Sequence, residues 1–344
     1  MAIETTLLIP ECAAVLGVDL ESGSLHQAFA ELGHPPNRLL LAQHSPRTSA
    51  EPTRGGASAC KGGRLWRNHP KENQGMCFEF DALPPHVPLD RVIRTLAGGA
   101  GAEILTLESE DGTRFAAALA QCPDPIGGPA VIILPDVRGL YRFYTDLAER
   151  FVTAGYHALA IDYFGRTAGV DERDDEFDFM PHTMQTTPAQ VQADIAAARD
   201  ALADRTGATQ FVTMGFCFGG AQSDLAAANP GLGLDAAISF YGMLDPSRAG
   251  LDSPHFPAPL RAADEIRTPL LALFGGADPL IPPEDIEAFD AALTRNGVPH
   301  EIHSYPGAPH SFFDRSFAAH AEASADAWLR VLDFLGEVGA GVAP

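Results

Sequence analysis

Apolar runs of strand length alternate with helical segments over most of this chain, and no other feature restricts its fold as strongly. The runs occupy residues 130–136, 156–165, 210–216, 235–242, 268–276 and 299–307. Helical segments follow most of them, at 145–155, 187–205, 219–229, 282–297 and 321–335. Strands that are apolar throughout are typical of a parallel sheet with helices on both faces. The pattern predicts an α/β fold with a mostly parallel, doubly wound sheet, in which ligands bind beyond the carboxyl ends of the strands.

Two further segments complete this prediction. Residues 103–121 form two alternating runs joined at Asp111-Gly112, a dipeptide typical of a tight β-hairpin turn. Residues 166–186 interrupt the strand–helix alternation with an irregular insertion that contains the acidic sequence DERDDEFD. Directly after it, Thr187 and Pro188 are suited to the N-cap and first position of a helix.

Charge and cysteine content exclude several classes of function. The 344 residues carry a net charge of −22, which disfavours binding to nucleic acid and to anionic membrane surfaces. No apolar stretch reaches the length of a membrane span, and the first twenty residues do not resemble a secretory signal. Five cysteines, an odd number without CxxC spacing, argue against a disulfide framework and a structural zinc site. We therefore expect a protein of the reducing cytoplasm.

The first 75 residues differ from the rest of the chain. They are electrically neutral, whereas residues 76–344 carry the whole charge of −22. Apart from a possible helix over residues 24–32, they are rich in turn and breaker residues, which predicts a disordered extension. A natural start at Met76, with an overlong reading frame upstream, is an alternative explanation. In either case residues 76–344 are predicted to form the α/β domain.

The run at 210–216 leads into GFCFGG, a nucleophile elbow with Cys217 as the nucleophile. Such a motif needs glycines because the nucleophile lies on a strained turn between a strand and a helix, where a flanking Cβ would clash. The turn presents the sulfur near a helix N-terminus, which favours the thiolate. The alternative is a buried structural cysteine in a tight strand–helix junction.

Two later runs end in an acid and a base. Asp278 follows the run at 268–276, and His310 follows the run at 299–307. The order nucleophile, acid, base is that of the α/β hydrolases. His310 would accept the thiol proton and later activate water, and Asp278 would hold the imidazole tautomer. A turn residue and a surface-loop histidine are the alternatives for these two positions.

The loop after the first buried run, with the sequence PDVRG, supplies the remaining predicted groups. In this fold it provides one amide of the oxyanion hole, which we assign to Val137, with the amide of Phe218 as its partner. Asp136 would then lie close to the sulfur. A nearby acid either raises the pKa of a thiol or accepts its proton, so Asp136 is a regulator or a second proton acceptor, and a turn aspartate is the alternative.

Residues 103–338 resemble the dienelactone hydrolase (carboxymethylenebutenolidase) family, a cysteine branch of the α/β hydrolases. The resemblance rests on VIILPDVRGL, AIDYFGRTAG, GFCFGGA, SFYG, LFGGADPLIPPED and YPGAPHSFFDR. It implies a Cys217–His310–Asp278 triad and an acid that hydrogen-bonds the resting thiol. The type enzyme has Glu at that position, whereas this chain has the shorter Asp136.

The resemblance also bears on substrate binding. The type enzyme holds a substrate carboxylate with two arginines, one in the insertion and one four residues after the catalytic histidine. Here the fourth residue after His310 is Asp314, and Arg315 follows it, so the clamp is not preserved position by position. Arg138 is a possible replacement anchor, Arg315 a further candidate for substrate binding, and Tyr241 of the SFYG sequence a possible substrate contact.

The insertion at 166–186 has two interpretations. Its apolar residues and one histidine could form a lid over the site; they are Phe177, Phe179, Met180 and His182. Of these, Phe179 and His182 are candidates for contact with the substrate. Alternatively, the insertion is a solvated acidic loop.

The sequence thus predicts a hydrolase of a small ester or lactone with a cysteine nucleophile. It contains no HxxxH, HExxH or carboxylate cluster with metal spacing, so no metal and no cofactor are predicted. The expected partner is a small-molecule substrate, and the oligomeric state is left open. Two alternatives stay open: another carboxylic-ester or thioester hydrolase on the same scaffold, or a non-hydrolytic thiol protein that acts in redox sensing or binding.

Overall fold

The structure is a computed structural model, and it describes residues 81–92, 101–314 and 318–341. The predictions made for residues 1–75, for the start at Met76 and for Arg315 lie outside these residues. Within the described part, no helix is both long enough and apolar enough to cross a membrane.

An eight-stranded sheet forms the centre of the fold. Its strands, β1 to β8, are Glu103–Glu108, Arg114–Ala120, Ala130–Leu134, Ala158–Ile161, Phe211–Phe216, Ala236–Phe240, Leu270–Gly275 and His300–Tyr305. Their spatial order is β1-β2-β4-β3-β5-β6-β7-β8. β1 and β2 pair antiparallel, β2 pairs antiparallel with β4, and all other pairs are parallel. The predicted mostly parallel sheet is confirmed.

The β1–β2 hairpin turns where the sequence predicts it. Gly112 has a φ of 79°, a conformation that L-residues with a Cβ rarely adopt, and its amide donates to the Ser109 carbonyl at 2.9 Å. The Asp111 carboxylate accepts from the Thr113 amide at 2.9 Å and closes the turn. β1 is an edge strand of the described sheet, and its Ile104 side chain is 64% exposed.

Helices cover both faces of the sheet. Helices α1 to α8 are Arg142–Thr153, Gly165–Ala168, Met180–Thr183, Pro188–Thr206, Phe218–Ala227, Pro259–Ala262, Pro283–Arg295 and Ala321–Gly339. α1 begins three residues before the predicted start, because Phe143 and Tyr144 are apolar enough to be buried in the core. α8 continues to Gly339, past the predicted end at 335, and its last turns bury Val338.

Successive residues of β3 and of β4 enter two separate cores, whereas the apolar residues of β6 and β7 all belong to one of them. In β3, Val131 and Ile133 belong to one core cluster, which also contains apolar residues of α1, α7 and α8. Ile132 and Leu134 belong to the other cluster, which contains the apolar face of α4. The alternation follows from the two-residue period of a strand, and it explains why these strands are apolar throughout.

α4 begins with the predicted cap. The Thr187 hydroxyl accepts from the Gln190 amide at 3.4 Å, and the Gln190 side chain accepts from the Thr187 amide at 2.8 Å. Pro188 occupies the first helical position. The cap marks the end of the insertion and the start of α4, the helix that packs against β4.

Candidate active site

The strand–helix turn at Cys217 has the geometry of a nucleophile elbow. Cys217 lies between β5 and α5 with φ 55° and ψ −114°, a conformation that is strained for a residue with a Cβ. A Cβ on Gly215 would lie 1.9 Å from the Gly219 carbonyl oxygen, and one on Gly219 would lie 2.2 Å from the Leu134 carbonyl oxygen. The predicted need for flanking glycines is confirmed, since no other residue fits either position.

Cys217 is held at the start of α5, a helix of ten residues. Its amide donates to the Phe240 carbonyl at 3.0 Å, which links the turn to β6. The side chain is partly exposed and forms no disulfide, whereas Cys122, also reduced, is buried. The positive end of a helix dipole and partial solvent access both favour a reactive thiolate.

An acid–base pair lies at the ends of β7 and β8. Nδ1 of His310 is 2.5 Å from Oδ2 of Asp278, and both side chains are buried. The other oxygen of Asp278 accepts from the Leu280 amide at 2.9 Å. Nε2 of His310 is buried and has no hydrogen-bond partner among the described residues. The arrangement holds the imidazole by one nitrogen and leaves the other available for a proton.

The two loops that carry this pair are joined by backbone contacts. The Gly276 amide donates to the Tyr305 carbonyl at 2.7 Å, and the Ala277 amide donates to the Ala308 carbonyl at 2.9 Å. A Cβ on Gly275 would lie 2.4 Å from the Pro309 carbonyl oxygen, so the end of β7 must be glycine for the histidine loop to pack on it. Main-chain geometry therefore holds the pair together.

Tyr241 packs against His310. It follows β6, the strand between β5 and β7, and its ring centroid is 4.9 Å from that of His310 and 6.2 Å from that of Phe216, the neighbour of Cys217. The side chain is completely buried. The structure thus gives Tyr241 a packing role against the imidazole, and the substrate contact predicted for it stays a prediction.

Backbone strain concentrates at this edge of the sheet. Within the described residues, the non-glycine positions with positive φ are Cys217, Tyr241 and Ser311 at 55°, 39° and 56°. All three follow the carboxyl end of a strand, and Ser311 is next to His310. Strained backbone of this kind is typical of functional sites, where surrounding packing enforces it. Sequence analysis did not single out Ser311, because no residue type there signals a positive φ.

Val137 and Phe218, the predicted oxyanion-hole residues, belong to the same core cluster. Phe218 is the first residue of α5, so its amide has no acceptor within the helix. The Val137 carbonyl accepts from the Thr183 hydroxyl of α3 at 3.3 Å. Thr183 is fully buried and was not predicted as a site residue. The oxyanion role of the two amides stays a prediction.

Asp136 and Arg138 form a buried ion pair after β3. The Asp136 carboxylate accepts from the Arg138 guanidinium at 2.8 and 3.1 Å, from the Arg138 amide at 2.9 Å and from the Tyr141 hydroxyl at 3.1 Å. The guanidinium also lies 4.3 Å from the Tyr141 ring centroid. These hydrogen bonds direct the carboxylate toward Arg138 and Tyr141. The thiol-gating role of Asp136 and the anchoring role of Arg138 stay predictions.

Tyr144 completes this cluster. Its hydroxyl accepts from the Asp136 amide at 2.8 Å. Burial raises the pKa of Tyr144 well above its usual range, and the nearby Asp136 charge adds to the effect, so the hydroxyl stays protonated. Neither Tyr141 nor Tyr144 was predicted, because their contacts depend on how the first turn of α1 packs beneath the loop.

The insertion places its aromatic residues inward and its acids outward. Phe177 and His182 stack with ring centroids 5.0 Å apart, and His182 also packs 5.9 Å from Phe164. Phe177 and Phe179 are partly buried against the second core cluster. Every acidic residue of the DERDDEFD sequence is exposed, whereas its arginine, Arg173, is buried. The exposed acids agree with the interpretation as a solvated acidic loop. The lid over the site and the substrate contacts of Phe179 and His182 stay predictions.

The described residues contain no group of three or more histidine, cysteine or carboxylate side chains suited to a metal ion. Arg315 lies outside them. Its neighbour Asp314 is buried and accepts from the Leu83 amide at 3.0 Å.

Comparison with known proteins decides the family. The sequence model of the dienelactone hydrolase family matches residues 115–339, about two thirds of the chain. The chain belongs to the dienelactone hydrolase family. It is therefore a hydrolase of the carboxymethylenebutenolidase type, a class that acts on ester bonds, and the resemblance found in the sequence motifs is confirmed.

Relatives of this dienelactone hydrolase family member are similar over most of their length. A protein of Synechocystis sp. named "Putative carboxymethylenebutenolidase" is 34% identical over 216 residues, which are 59% of this chain and 83% of the relative. A crystal structure from Klebsiella pneumoniae, described as a "Putative Dienelactone Hydrolase", is 29% identical with a TM-score of 0.58, and the match covers 68% of this chain and 99% of that one. A dienelactone hydrolase-like promiscuous phosphotriesterase from metagenomic libraries is 25% identical with a TM-score of 0.55, over 69% and 99% of the two chains.

Proposed function

We propose that this member of the dienelactone hydrolase family hydrolyses a small ester or lactone through Cys217, with His310 as the base and Asp278 as its orienting acid. The observation that carries the proposal is the pairing of His310 Nδ1 with Asp278 at 2.5 Å while Nε2 is buried without a partner in the described structure. Burying an imidazole nitrogen without a hydrogen-bond partner lowers the stability of the fold. A role in proton exchange explains why such a nitrogen is kept.

Acylation begins with proton transfer from the Cys217 thiol to Nε2 of His310. The thiolate sulfur attacks the substrate carbonyl carbon, and the π electrons of the carbonyl move to its oxygen. The Val137 and Phe218 amides donate to this oxyanion. When the oxyanion collapses, the bond to the leaving oxygen breaks, and that oxygen takes the proton from imidazolium. The product is a thioester of Cys217.

Deacylation uses the same groups in reverse. His310 removes a proton from a water molecule, the hydroxide attacks the thioester carbonyl, and the carbon–sulfur bond breaks as the tetrahedral intermediate collapses to the carboxylic acid. The departing Cys217 thiolate takes the proton back from imidazolium, which restores the thiol and the neutral base. Asp278 stabilises the imidazolium in both halves of the cycle. With a lactone the leaving hydroxyl stays tethered to the acyl group, so water must compete with ring closure.

Two alternatives remain to be tested. The first is another carboxylic-ester or thioester hydrolase on the same scaffold, which would use the same groups on a different acyl chain. The second is a non-hydrolytic thiol protein. A redox sensor usually needs a resolving cysteine, and Cys122 is buried with its sulfur 3.9 Å from the Val152 carbonyl oxygen, which argues against that use.

A screen of lactones and activated aryl esters on the purified protein tests the proposal. Hydrolysis by the natural protein should be lost in Cys217→Ala and kept in Cys122→Ala, a matched change of the other described cysteine. Iodoacetamide should abolish activity in parallel with alkylation of Cys217. Turnover that persists after complete alkylation would rule out the thiol mechanism, and absence of turnover on every ester and lactone would favour the non-hydrolytic alternative.

We also propose that the protein works in the cytoplasm on a small molecule. A reducing compartment suits a mechanism that needs a thiol, and neither described cysteine forms a disulfide. Mass spectrometry of cysteine oxidation states in protein isolated under acid quench would test this placement.

A further inference from the structure

Arginine is the main cation available to bind an anionic substrate. The only lysines of the sequence are Lys61 and Lys71, so beyond residue 71 every permanent positive charge belongs to an arginine. Carboxylate recognition in proteins depends chiefly on such guanidinium groups, which pair with both oxygens. Several arginines lie in the loops beyond the carboxyl ends of the strands. Whether they already have carboxylate partners decides whether they are available to bind an anionic substrate.

The arginine nearest the proposed oxyanion loop is already neutralised. Arg138 gives Nε and one terminal nitrogen to the two oxygens of Asp136, at 3.1 and 2.8 Å, in a pair of which less than a tenth of either side chain is exposed. A buried pair of this kind resists separation, because each charge would lose its counter-charge in a poorly solvated place.

The two arginines of the insertion are neutralised in the same way. Arg173 pairs with the fully buried Asp162 at 2.9 Å and donates to the Gly169 carbonyl at 2.7 Å. Arg166 pairs with both oxygens of Asp194 at 2.8 and 2.9 Å and with Asp111. The hydrogen bond from Arg166 lowers the pKa of Asp111 to about 2, which keeps that pair charged at neutral pH.

The long loop after β6 repeats the pattern. Arg248 pairs with the buried Asp285 at 2.6 Å, and Arg261 pairs with Asp252 at 2.7 Å. Within the described chain, the arginines in the loops that follow β3, β4 and β6 therefore have carboxylate partners, except Arg267, which donates to the Asp264 and Ile266 carbonyls just before β7 begins. The loops after β7 and β8 add no arginine before Arg315.

Aromatic residues surround the elbow instead. The Phe218 ring lies 5.5 Å from that of Tyr163 and 6.3 Å from that of Phe256, in edge-on contacts. On the other side, Tyr241 covers His310. The rings of Phe218, Tyr163 and Tyr241 are buried, so they surround the elbow with uncharged, poorly solvated packing in which an unpaired anion is costly.

We propose that this site selects uncharged esters or lactones and discriminates against substrates that carry a carboxylate. The inference rests on the proposed function, because it assumes that Cys217 receives the substrate. It adds a substrate class: neutral acyl compounds, bound where the neighbouring arginines already have carboxylate partners, in a protein whose overall charge of −22 repels small anions.

Alkylation of Cys217 measures this selection without catalysis. Iodoacetamide and iodoacetate differ by one charge and react with the same sulfur. Rates at Cys217, followed by peptide mass mapping, are compared with those of N-acetylcysteinamide, an uncharged reference thiol. We expect the amide-to-acid rate ratio at Cys217 to exceed the reference ratio by at least about tenfold, the lower end of electrostatic effects on encounter rates. A ratio equal to or below the reference overturns the proposal.

A matched ester pair extends the test to turnover. The natural protein is assayed on p-nitrophenyl butyrate and p-nitrophenyl hemisuccinate, with Cys217→Ala as the blank. We expect kcat/KM to favour the butyrate by at least about tenfold. Preference for the hemisuccinate overturns the charge selection but leaves the cysteine mechanism standing. Selective alkylation without turnover of either ester overturns the proposed hydrolysis but leaves the charge selection standing.

Two variants locate the origin of the selectivity. Asp136→Asn leaves the Arg138 charge without its counter-charge and should move the ester ratio toward the hemisuccinate, whereas Asp252→Asn, at an exposed pair, should not. Should Asp136→Asn fail to fold, Arg315→Met decides: we expect its ratio to equal that of the natural protein. A ratio that shifts further toward the butyrate in Arg315→Met would reveal a carboxylate anchor and contradict the proposal.

Discussion

Asp278 and Asp136 are both buried carboxylates just beyond the end of a strand, and both have a cationic or potentially cationic partner. Asp278 binds one nitrogen of His310 and leaves the other nitrogen without a partner in the described structure. Asp136 receives hydrogen bonds from Arg138 on both of its oxygens and from Tyr141 as well. The difference lies in the cationic partner. Histidine can gain and lose a proton near neutral pH, so the pair with Asp278 suits proton transfer, whereas arginine stays charged, so the pair with Asp136 leaves neither charge available to bind a ligand.

The largest expected effect is on the Asp278 side. Asp278→Asn should lower kcat/KM on p-nitrophenyl butyrate by roughly 10³- to 10⁴-fold, because an amide favours the wrong imidazole tautomer and does not stabilise imidazolium. Circular dichroism and steady-state kinetics measure fold and activity together. Asp136→Asn is the comparison variant: folded protein should lose less than about tenfold on this uncharged ester, because the proposed base and its orienting acid are unchanged, and circular dichroism reports whether the buried Arg138 charge left behind unfolds the chain. Equal losses in the two variants would contradict the distinction.

The second effect concerns stability on the Asp136 side. Arg138→Met leaves the Asp136 charge buried without its cation, which should lower the free energy of unfolding by about 3–5 kcal/mol. Urea denaturation followed by tryptophan fluorescence measures it. Arg205→Met breaks an exposed pair with Glu103 and should cost at most about 1 kcal/mol. Similar midpoints for the two variants would show that the Asp136–Arg138 pair contributes little to folding.

A third buried carboxylate sharpens the comparison, because Asp224 on α5 has no cationic partner among the described residues. Its Oδ2 accepts from the Ser239 hydroxyl at 3.0 Å, and its Oδ1 has no hydrogen-bond partner among the described residues. Burial raises the pKa of Asp224 well above its ordinary value of 3.8. Between the unfolded and folded pKa values the folded chain binds more protons, so Asp224 lowers stability as pH rises through that window.

Asp224→Asn should therefore raise the free energy of unfolding at neutral pH by about 1–3 kcal/mol, because the amide carries no charge to bury. Urea titrations from about pH 4 upward should show a flatter pH dependence than in the natural protein. Asp264→Asn, at an exposed position, should change neither quantity. A pH slope unchanged by Asp224→Asn would mean that Asp224 does not titrate in this way.

The smallest expected effect tests how the insertion supports the oxyanion loop. The Thr183 hydroxyl shares its one proton between the Phe179 carbonyl at 3.1 Å and the Val137 carbonyl at 3.3 Å. Thr183→Val removes both contacts, and kcat should fall by up to about tenfold with little change in KM. Thr183→Ser should restore most of the loss. Thr186→Val, in the same segment, removes a hydroxyl that binds the His182 carbonyl instead and should leave kcat within about twofold of the natural value. A fall in KM and kcat alike would indicate a general disturbance of the insertion.

The sequence predicts well those features that depend on local chemistry. The hairpin turn requires a glycine at Gly112, and the elbow requires the glycines around Cys217. The helix cap is formed by the side chains of Thr187 and Gln190, which are three residues apart. Each depends on residues adjacent along the chain, so the sequence carries the whole signal. Asp278 and His310 were predictable because the ends of neighbouring parallel strands meet at one edge of the sheet.

The remaining features depend on contacts between distant elements. The packing of Tyr241 on His310 requires the register of β6 beside β7, and the bond from Thr183 to Val137 joins residues 46 positions apart. The pairing of Arg138 with Asp136 is close in sequence, yet the loop conformation and the position of Tyr141 decide it. A charged residue in a loop could equally face a substrate, so its type alone does not reveal its partner.

The exposed strand β1 has a consequence for association between copies of the chain. In the described sheet β1 is an outer strand with an exposed isoleucine, and such an edge can pair with a strand of a second molecule. β1 begins and ends with glutamate, so an antiparallel copy in register would bring Glu103 opposite Glu108 at both ends of the new ladder. Opposed carboxylates repel each other, so this arrangement disfavours antiparallel pairing of β1 with the β1 strand of a second molecule.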